Sequence, residues 1–240
     1  MVMKTATQPS SICKTCDSRK NGIFCELSDM HLDAIESSKT VNNYKPRQTL
    51  FYEGNQPYGL YCVSRGKVKI YKMDADGHQK IVRLAGPGDT LGYRCMLAGE
   101  PYSATAETLE DSTICFIDKT TFFHTLQTHP QTASHVLKTL ARDLGQAEKQ
   151  ELNLVHKSIR ERLAELFLVF KSRYGVIVEQ GVKLDISLSR QDFADLIGTT
   201  QESVIRLISE FKNDKLIAVE KKEIILLDIP NLTEAANIVD

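Results

Sequence analysis

The period of hydrophobic and polar positions changes twice along the chain. From about Tyr44 to Phe123 the two classes alternate, as in Val68 and Ile70 against Lys69 and Lys72, and glycines recur at 54, 59, 66, 77, 86, 88, 92 and 99. Alternation marks half-buried strands, and regular glycines suit short antiparallel strands that reverse at turns such as DADG, residues 74–77. This stretch predicts a compact antiparallel roll or barrel with no helix of useful length inside it. After His129–Pro130 the period lengthens: Leu137, Leu140, Leu144, Ala147 and Leu154 step by threes and fours, with Glu151 interrupting. The spacing predicts one helix from Gln131 to about Val155 with a narrow apolar seam. A narrow seam on a long helix suits a partner helix, so these residues predict a dimer interface.

A further helix is predicted from Ser158 to about Tyr174–Gly175, with Ile159, Leu163, Leu166, Phe167 and Phe170 on one face. Ser189 followed by Asp192 then predicts a capped helix over Arg190–Ile197, ended by Gly198. Thr199 or Thr200 caps the next helix, which runs to about Lys212 and buries Val204, Leu207, Ile208 and Phe211. Two apolar runs, Leu216–Val219 and Glu223–Leu227, joined by the charged residues 220–222, predict a hairpin. Helix, tight turn, helix and hairpin together describe a winged helix-turn-helix. The predicted class is α+β: a cysteine-bearing segment over residues 1–30, an antiparallel β-roll over 31–128, a long dimerisation helix over 129–157, and a winged helix-turn-helix over 158–240.

Composition adds constraints. The polar opening run MVMKTATQPSSICK lacks the apolar stretch of a signal peptide, and no eighteen consecutive apolar residues occur, so a cytoplasmic protein without a membrane partner is expected. The formal net charge is −1, and acids outnumber bases between Lys183 and Asp228, so DNA affinity has to rest on one face and on dimerisation. No Ser/His/Asp or Cys/His arrangement and no phosphate-binding glycine loop stands out, so the chain is not expected to be an enzyme. Six cysteines in a reducing compartment point to metal binding, redox chemistry or burial rather than to disulfides. Cys13 and Cys16 form a C-x-x-C half-site and Cys25 is a plausible third ligand, which leaves the fourth among the roll cysteines. Cys62, between Tyr61 and Val63 in a predicted strand, reads as a small buried residue, and Cys95 and Cys115 stand as rivals. An iron–sulfur cluster, a zinc ion, a thiol pair and plain burial all stay open on spacing alone, as does a metal-binding protein without specific DNA affinity.

Three motifs, RERLA at 160–164, SRQDFADLIGTTQESVIRLISEF at 189–211 and LFYEGNQPYGLYCVSRGKVKIY at 50–71, resemble signatures of the Crp/Fnr family of bacterial transcription regulators, in the family's order and separations. The resemblance implies a roll of the cyclic-nucleotide-binding type and a homodimer that binds palindromic double-stranded DNA and works with RNA polymerase. It makes Glu202 and Arg206 the base readers. Residues four apart share a helical face, and they suit a cytosine amino group and a guanine edge respectively. Gln201, Ile205 and Ser189 join them, and Lys221 on the wing suits a phosphate. The glutamate and arginine that hold cyclic AMP in the family are missing from PGDTLGYRCMLAGEPYSATAET; Arg94, read as a strand residue, faces the wrong way, and cyclic AMP is not expected. The chain is closer to the oxygen-sensing branch, which implies a 4Fe–4S cluster on Cys13, Cys16, Cys25 and Cys115, with zinc or no metal as alternatives. In that branch an acid sits in the helix seam. Ala147 is read at its place here, so a dimer is expected even without metal.

Overall fold

The computed structural model describes residues 12–25, 27–221 and 223–238. Most of the opening of the cysteine-bearing segment, residues 1–11, therefore lies outside the described residues, as do Glu26 and Lys222. The chain forms two compact units, residues 1–72 with 82–143 and residues 73–81 with 144–240.

The first unit begins with two 3-10 turns, Cys13–Thr15 and Asp17–Asn21, and helix α1 (Asp29–Ser38). Strands β1 (Thr40–Tyr44), β2 (Thr49–Phe51), β3 (Gly59–Arg65), β4 (Val68–Met73), β5 (Gln79–Ala85) and β6 (Thr90–Leu91) follow. Helix α2 (Tyr93–Ala98), strands β7 (Thr105–Thr108) and β8 (Ser112–Asp118), helix α3 (Lys119–Thr128) and the long helix α4 (Pro130–His156) complete it, α4 running on into the second unit. The strands make two four-stranded sheets, ordered β1-β8-β3-β6 and β2-β7-β4-β5. Between the sheets lie the inward residues of the alternating pattern, among them Val63, Val68, Ile70, Leu91 and Ile114. A second core forms where Leu60, Ile117, Tyr93 and Met96 meet Leu32, Ile35, Phe122 and Val136 of the helices.

Helix α2 corrects the sequence reading, which placed no helix within the roll. Left-handed glycines bound it, Gly92 at φ 83° and Gly99 at φ 71°, and six residues are too few to display a 3.6-residue period among turns. Arg94 consequently stands on a helix rather than a strand, with its guanidinium donating to the Ser103 hydroxyl. Helix α4 is pinned to the roll by buried Thr132 and Val136, and at Asp143 by polar bonds. The Tyr93 hydroxyl donates to Asp143 Oδ2 at 2.9 Å, and Arg83 reaches the same oxygen at 3.3 Å while also pairing with Asp89.

In the second unit α5 (Ile159–Tyr174) starts at a capping box of Ser158 and Glu161. Hairpin β9 (Gly175–Val178) and β10 (Gly181–Leu184), helices α6 (Arg190–Ile197) and α7 (Gln201–Asn213), strands β11 (Ile217–Glu220) and β12 (Glu223–Leu226), and helix α8 (Ile229–Ala235) follow. The sheet runs β11-β12-β10-β9, so the wing hairpin is extended by a second hairpin that the sequence reading did not name. Phe167 anchors the helices, edge-on to Phe193 and Phe211 at centroid distances of 5.9 and 6.1 Å. No described helix is long and apolar enough to cross a membrane.

Candidate DNA-reading face and thiol cavity

The two helices of the motif sit where their caps predict. The Ser189 hydroxyl accepts from Asp192 N while the Asp192 carboxylate accepts from Ser189 N, closing a capping box on α6. Gly198 at φ 68° ends α6, and Thr200 caps α7 by accepting from Ser203 N. Val204, Leu207, Ile208 and Phe211 are buried, which turns Gln201, Glu202, Ile205 and Arg206 outward. Arg206 pairs loosely with Glu210, one turn onward at 3.8 Å, and Glu210 also receives Arg160. The outward face therefore offers an acceptor, a forked donor and an apolar side chain to one groove. Lys221 is exposed at the wing turn with φ 57°. Ser189, expected both to cap α6 and to contact DNA, is held in the cap, its hydroxyl also making a 2.6 Å bond to Asp192.

Along α4 most of the predicted seam stays exposed. Leu137, Leu144 and Glu151 are exposed. Leu140 instead packs on the core of the first unit, and Leu154 comes within 3.4 Å of the position a Cβ would take on Gly198. Ala147 lies on the same flank, being seven residues from each. The companion row on the exposed side is Ala141, Glu148 and Val155, so acids occupy both rows in the helix's second half. Ala147 and Leu154 are exposed as well, so of the predicted seam only Leu140 is drawn into the core.

The cysteines separate into three environments. Cys13, Cys16, Cys62 and Cys115 line one cavity of ≈ 50 Å³ between the N-terminal turns, α1 and strands β3 and β8. Cys13 and Cys16 bracket a single turn, Cys16 N donating to Cys13 O. Cys62 and Cys115 are direct partners across β3 and β8, so their side chains leave the same face of the sheet. At the rim Lys39 donates to Cys13 Sγ at 3.2 Å and to Glu36, which also accepts from Cys13 N. Burial pushes the Cys13 thiol up to about 11, against the pull of the Lys39 ammonium. Burial likewise raises Cys62, with Cys115 adding to it, and raises Cys115 itself. Cys25, expected as the third ligand, does not line the cavity; its sulfur lies 3.7 Å from His135 Nδ1 on α4. Cys95 is buried in the roll interior beside Ser103, away from the cavity. Cys62, read as a buried bystander, was obscured because nothing in its local sequence reveals which residue faces it across the sheet.

Two other places bear on ligand chemistry. In front of Gly92 the roll interior is filled by Tyr102, which stacks on Phe51 at 4.0 Å and would meet a Cβ on Gly92 at 2.9 Å. Asp74, Asp76 and His78, exposed at the β4–β5 turn, form the one set among the described residues with three ligand atoms within 4.8 Å of one another.

A roll of two antiparallel sheets, a long helix with exposed apolar residues and a winged helix-turn-helix define the architecture of a DNA-binding regulator. Comparison with known proteins agrees: the cyclic nucleotide-binding domain family matches residues 41–129, and the Crp-like helix-turn-helix domain family matches residues 161–235. The transcriptional activatory protein AadR of Rhodopseudomonas palustris is 30% identical over 227 residues, covering 93% of each chain. The transcriptional activator protein FnrL of Cereibacter sphaeroides is 27% identical over 229 residues, 93% of this chain and 91% of its own. The structure of FixK2 from Bradyrhizobium japonicum shares the fold with a TM-score of 0.75 at 23% identity, covering 84% of this chain and 99% of that one. The chain belongs to the Crp/Fnr family of DNA-binding transcription regulators, among its Fnr-like members.

Proposed function

We propose that this protein is a homodimeric regulator that reads a palindromic double-stranded DNA site through α7, acts with RNA polymerase in the cytoplasm, and senses oxygen or redox state through a thiol-ligated 4Fe–4S cluster. The observation that carries the sensing half is the convergence of four cysteines on one cavity. A tetrahedral zinc with Zn–S bonds of about 2.3 Å needs sulfurs about 3.8 Å apart. No three of these thiols stand within 4.8 Å of one another. Wider spacing suits a polynuclear centre, and a cavity several times the roughly 10–15 Å³ that one water needs admits more than a single ion. When bound, such a cluster supplies an oxygen-labile centre. The chain's own part is to shield it beneath Ile23, Phe24 and Leu32, to place the Lys39 charge at its edge, and to join it through β8 to α3 and α4. Tyr102, packed in front of Gly92, supports a roll that works without a cyclic nucleotide.

On the DNA side Glu202 and Arg206 read base edges, Gln201 and Ile205 flank them, and Lys221 meets phosphate from the wing. Anaerobic protein loaded with iron and sulfide is expected to absorb in the visible and to shift a palindromic duplex more strongly than a random one, with air abolishing both. Zinc uptake in place of iron would overturn the cluster, and equal affinity for random DNA would overturn the sequence-reading role.

A further inference from the structure

We infer, on the footing of the thiol-ligated centre proposed above, that Cys62 is its fourth sulfur: the ligand set is Cys13, Cys16, Cys62 and Cys115, and Cys25 stands outside it. The sheet supplies one half of the set. Cys62 and Cys115 are matched across neighbouring antiparallel strands, β3 and β8, and both thiols enter the cavity from one sheet face. The N-terminal turns supply the other half and are tied to the same strand. The Ser18 hydroxyl donates to the Ser64 carbonyl at 2.6 Å, and Cys16 Sγ lies 3.9 Å from Ser64 Oγ, two residues from Cys62.

Cys25 is held elsewhere by its neighbours. Ile23, Phe24 and Leu27 on either side are buried in the core shared with α1 and α3. One guanidinium nitrogen of Arg19 bonds the carbonyls of Phe24, Cys25 and Leu27 at 3.1 to 3.4 Å, which locks the loop's backbone. Gly22 passes so near Gly88 that an added Cβ would stand 2.9 Å from its carbonyl oxygen. The residues between Cys16 and Cys25 are thus used to build the Asp17–Asn21 turn and to seat Phe24, and this carries the third N-terminal cysteine past the cavity to His135. Bringing Cys25 into the cavity would require the buried Phe24 and Leu27 and the Arg19 bonds to come apart together.

The test uses the full chain, loaded anaerobically with ferrous iron and sulfide, with iron, sulfide and visible absorption as readouts. Cys25→Ser is expected to keep the wild-type content of about four irons per chain. Cys62→Ser and Cys62→Ala are expected to lower it several-fold, as Cys13→Ser does. Because a Cys62 variant can fail by misfolding, the wild-type protein is also labelled with iodoacetamide and mapped by mass spectrometry. Cys25 should label at the same rate with and without metal, while Cys13 and Cys16 become at least tenfold slower when loaded. Iron lost from Cys25→Ser but kept in Cys62→Ser, or metal-dependent protection of Cys25, overturns the assignment and leaves the sensing proposal standing. A wild-type chain that takes up no iron overturns both.

Discussion

Arg206 and Cys13 show how a single residue's surroundings set its use. Arg206 projects from α7 with only a loose partner, so its guanidinium is available for a forked contact with a guanine edge. Arg206→Ala and Glu202→Ala are each expected to cost about 1–3 kcal/mol on the specific site and much less on random DNA, measured by fluorescence anisotropy. An equal loss on both duplexes would rule out base reading. Cys13 has the opposite setting. Burial lifts its thiol from the ordinary value near 9 to about 11, so the folded state holds a proton that the unfolded chain releases. Stability from this group is whole below pH 9 and is lost as pH climbs from 9 to 11, so the metal-free protein should unfold at lower denaturant concentration across that window. Metal must displace the same proton, and its uptake should strengthen with rising pH. That Glu202 and Arg206 share one exposed face was legible in helical spacing, while their role as base readers is what the family resemblance implies. The thiol set was legible only in part, since Cys62 meets Cys115 through strand pairing between distant segments.

The elements divide between those with local signals and those without. Helices α5, α6 and α7 were readable to within a residue or so because their caps are written in adjacent residues, Ser158 with Glu161 and Ser189 with Asp192. Ser189→Ala is accordingly expected to cost about 1 kcal/mol in urea unfolding while leaving the affinity of the folded protein for DNA nearly unchanged. A large loss of affinity with unaltered stability would restore Ser189 to the DNA-reading set. Helix α2 and hairpin β9–β10 escaped the pattern because each is only a few residues long and lies between glycines. On α4 the period was right, and only packing on the roll reveals that Leu140 is already covered. Glu148 and Glu151 are both exposed on α4, and in a dimer paired in parallel along the seam like charges there oppose pairing. Glu148→Leu and Glu151→Leu should each tighten the metal-free dimer in sedimentation at micromolar concentration. A weaker dimer would refute the seam.

At the scale of the molecule, the order of roll, long helix and winged helix-turn-helix followed from where the hydrophobic period changes, and the family match fits that order. The polar anchor at Asp143 did not follow from it, because Tyr93, Arg83 and Asp143 come from separate elements. Asp143→Ala leaves the Tyr93 hydroxyl and the Arg83 guanidinium without their shared carboxylate and should cost about 1–3 kcal/mol in thermal or urea unfolding. Asp143 is also the last residue that the first unit claims from α4. Beyond it the helix runs about 20 Å to His156 at 1.5 Å per residue, inside the second unit, where Asn153 bonds Glu165 of α5. A helix of that length converts angle into travel: a tilt of about 5° at the Asp143 clamp corresponds to about 2 Å at its far end, on the order of a bond length or more. A rearrangement at the clamp too small to disturb the packing of the roll is therefore large enough, at the far end of the beam, to move a side chain into or out of hydrogen-bonding range.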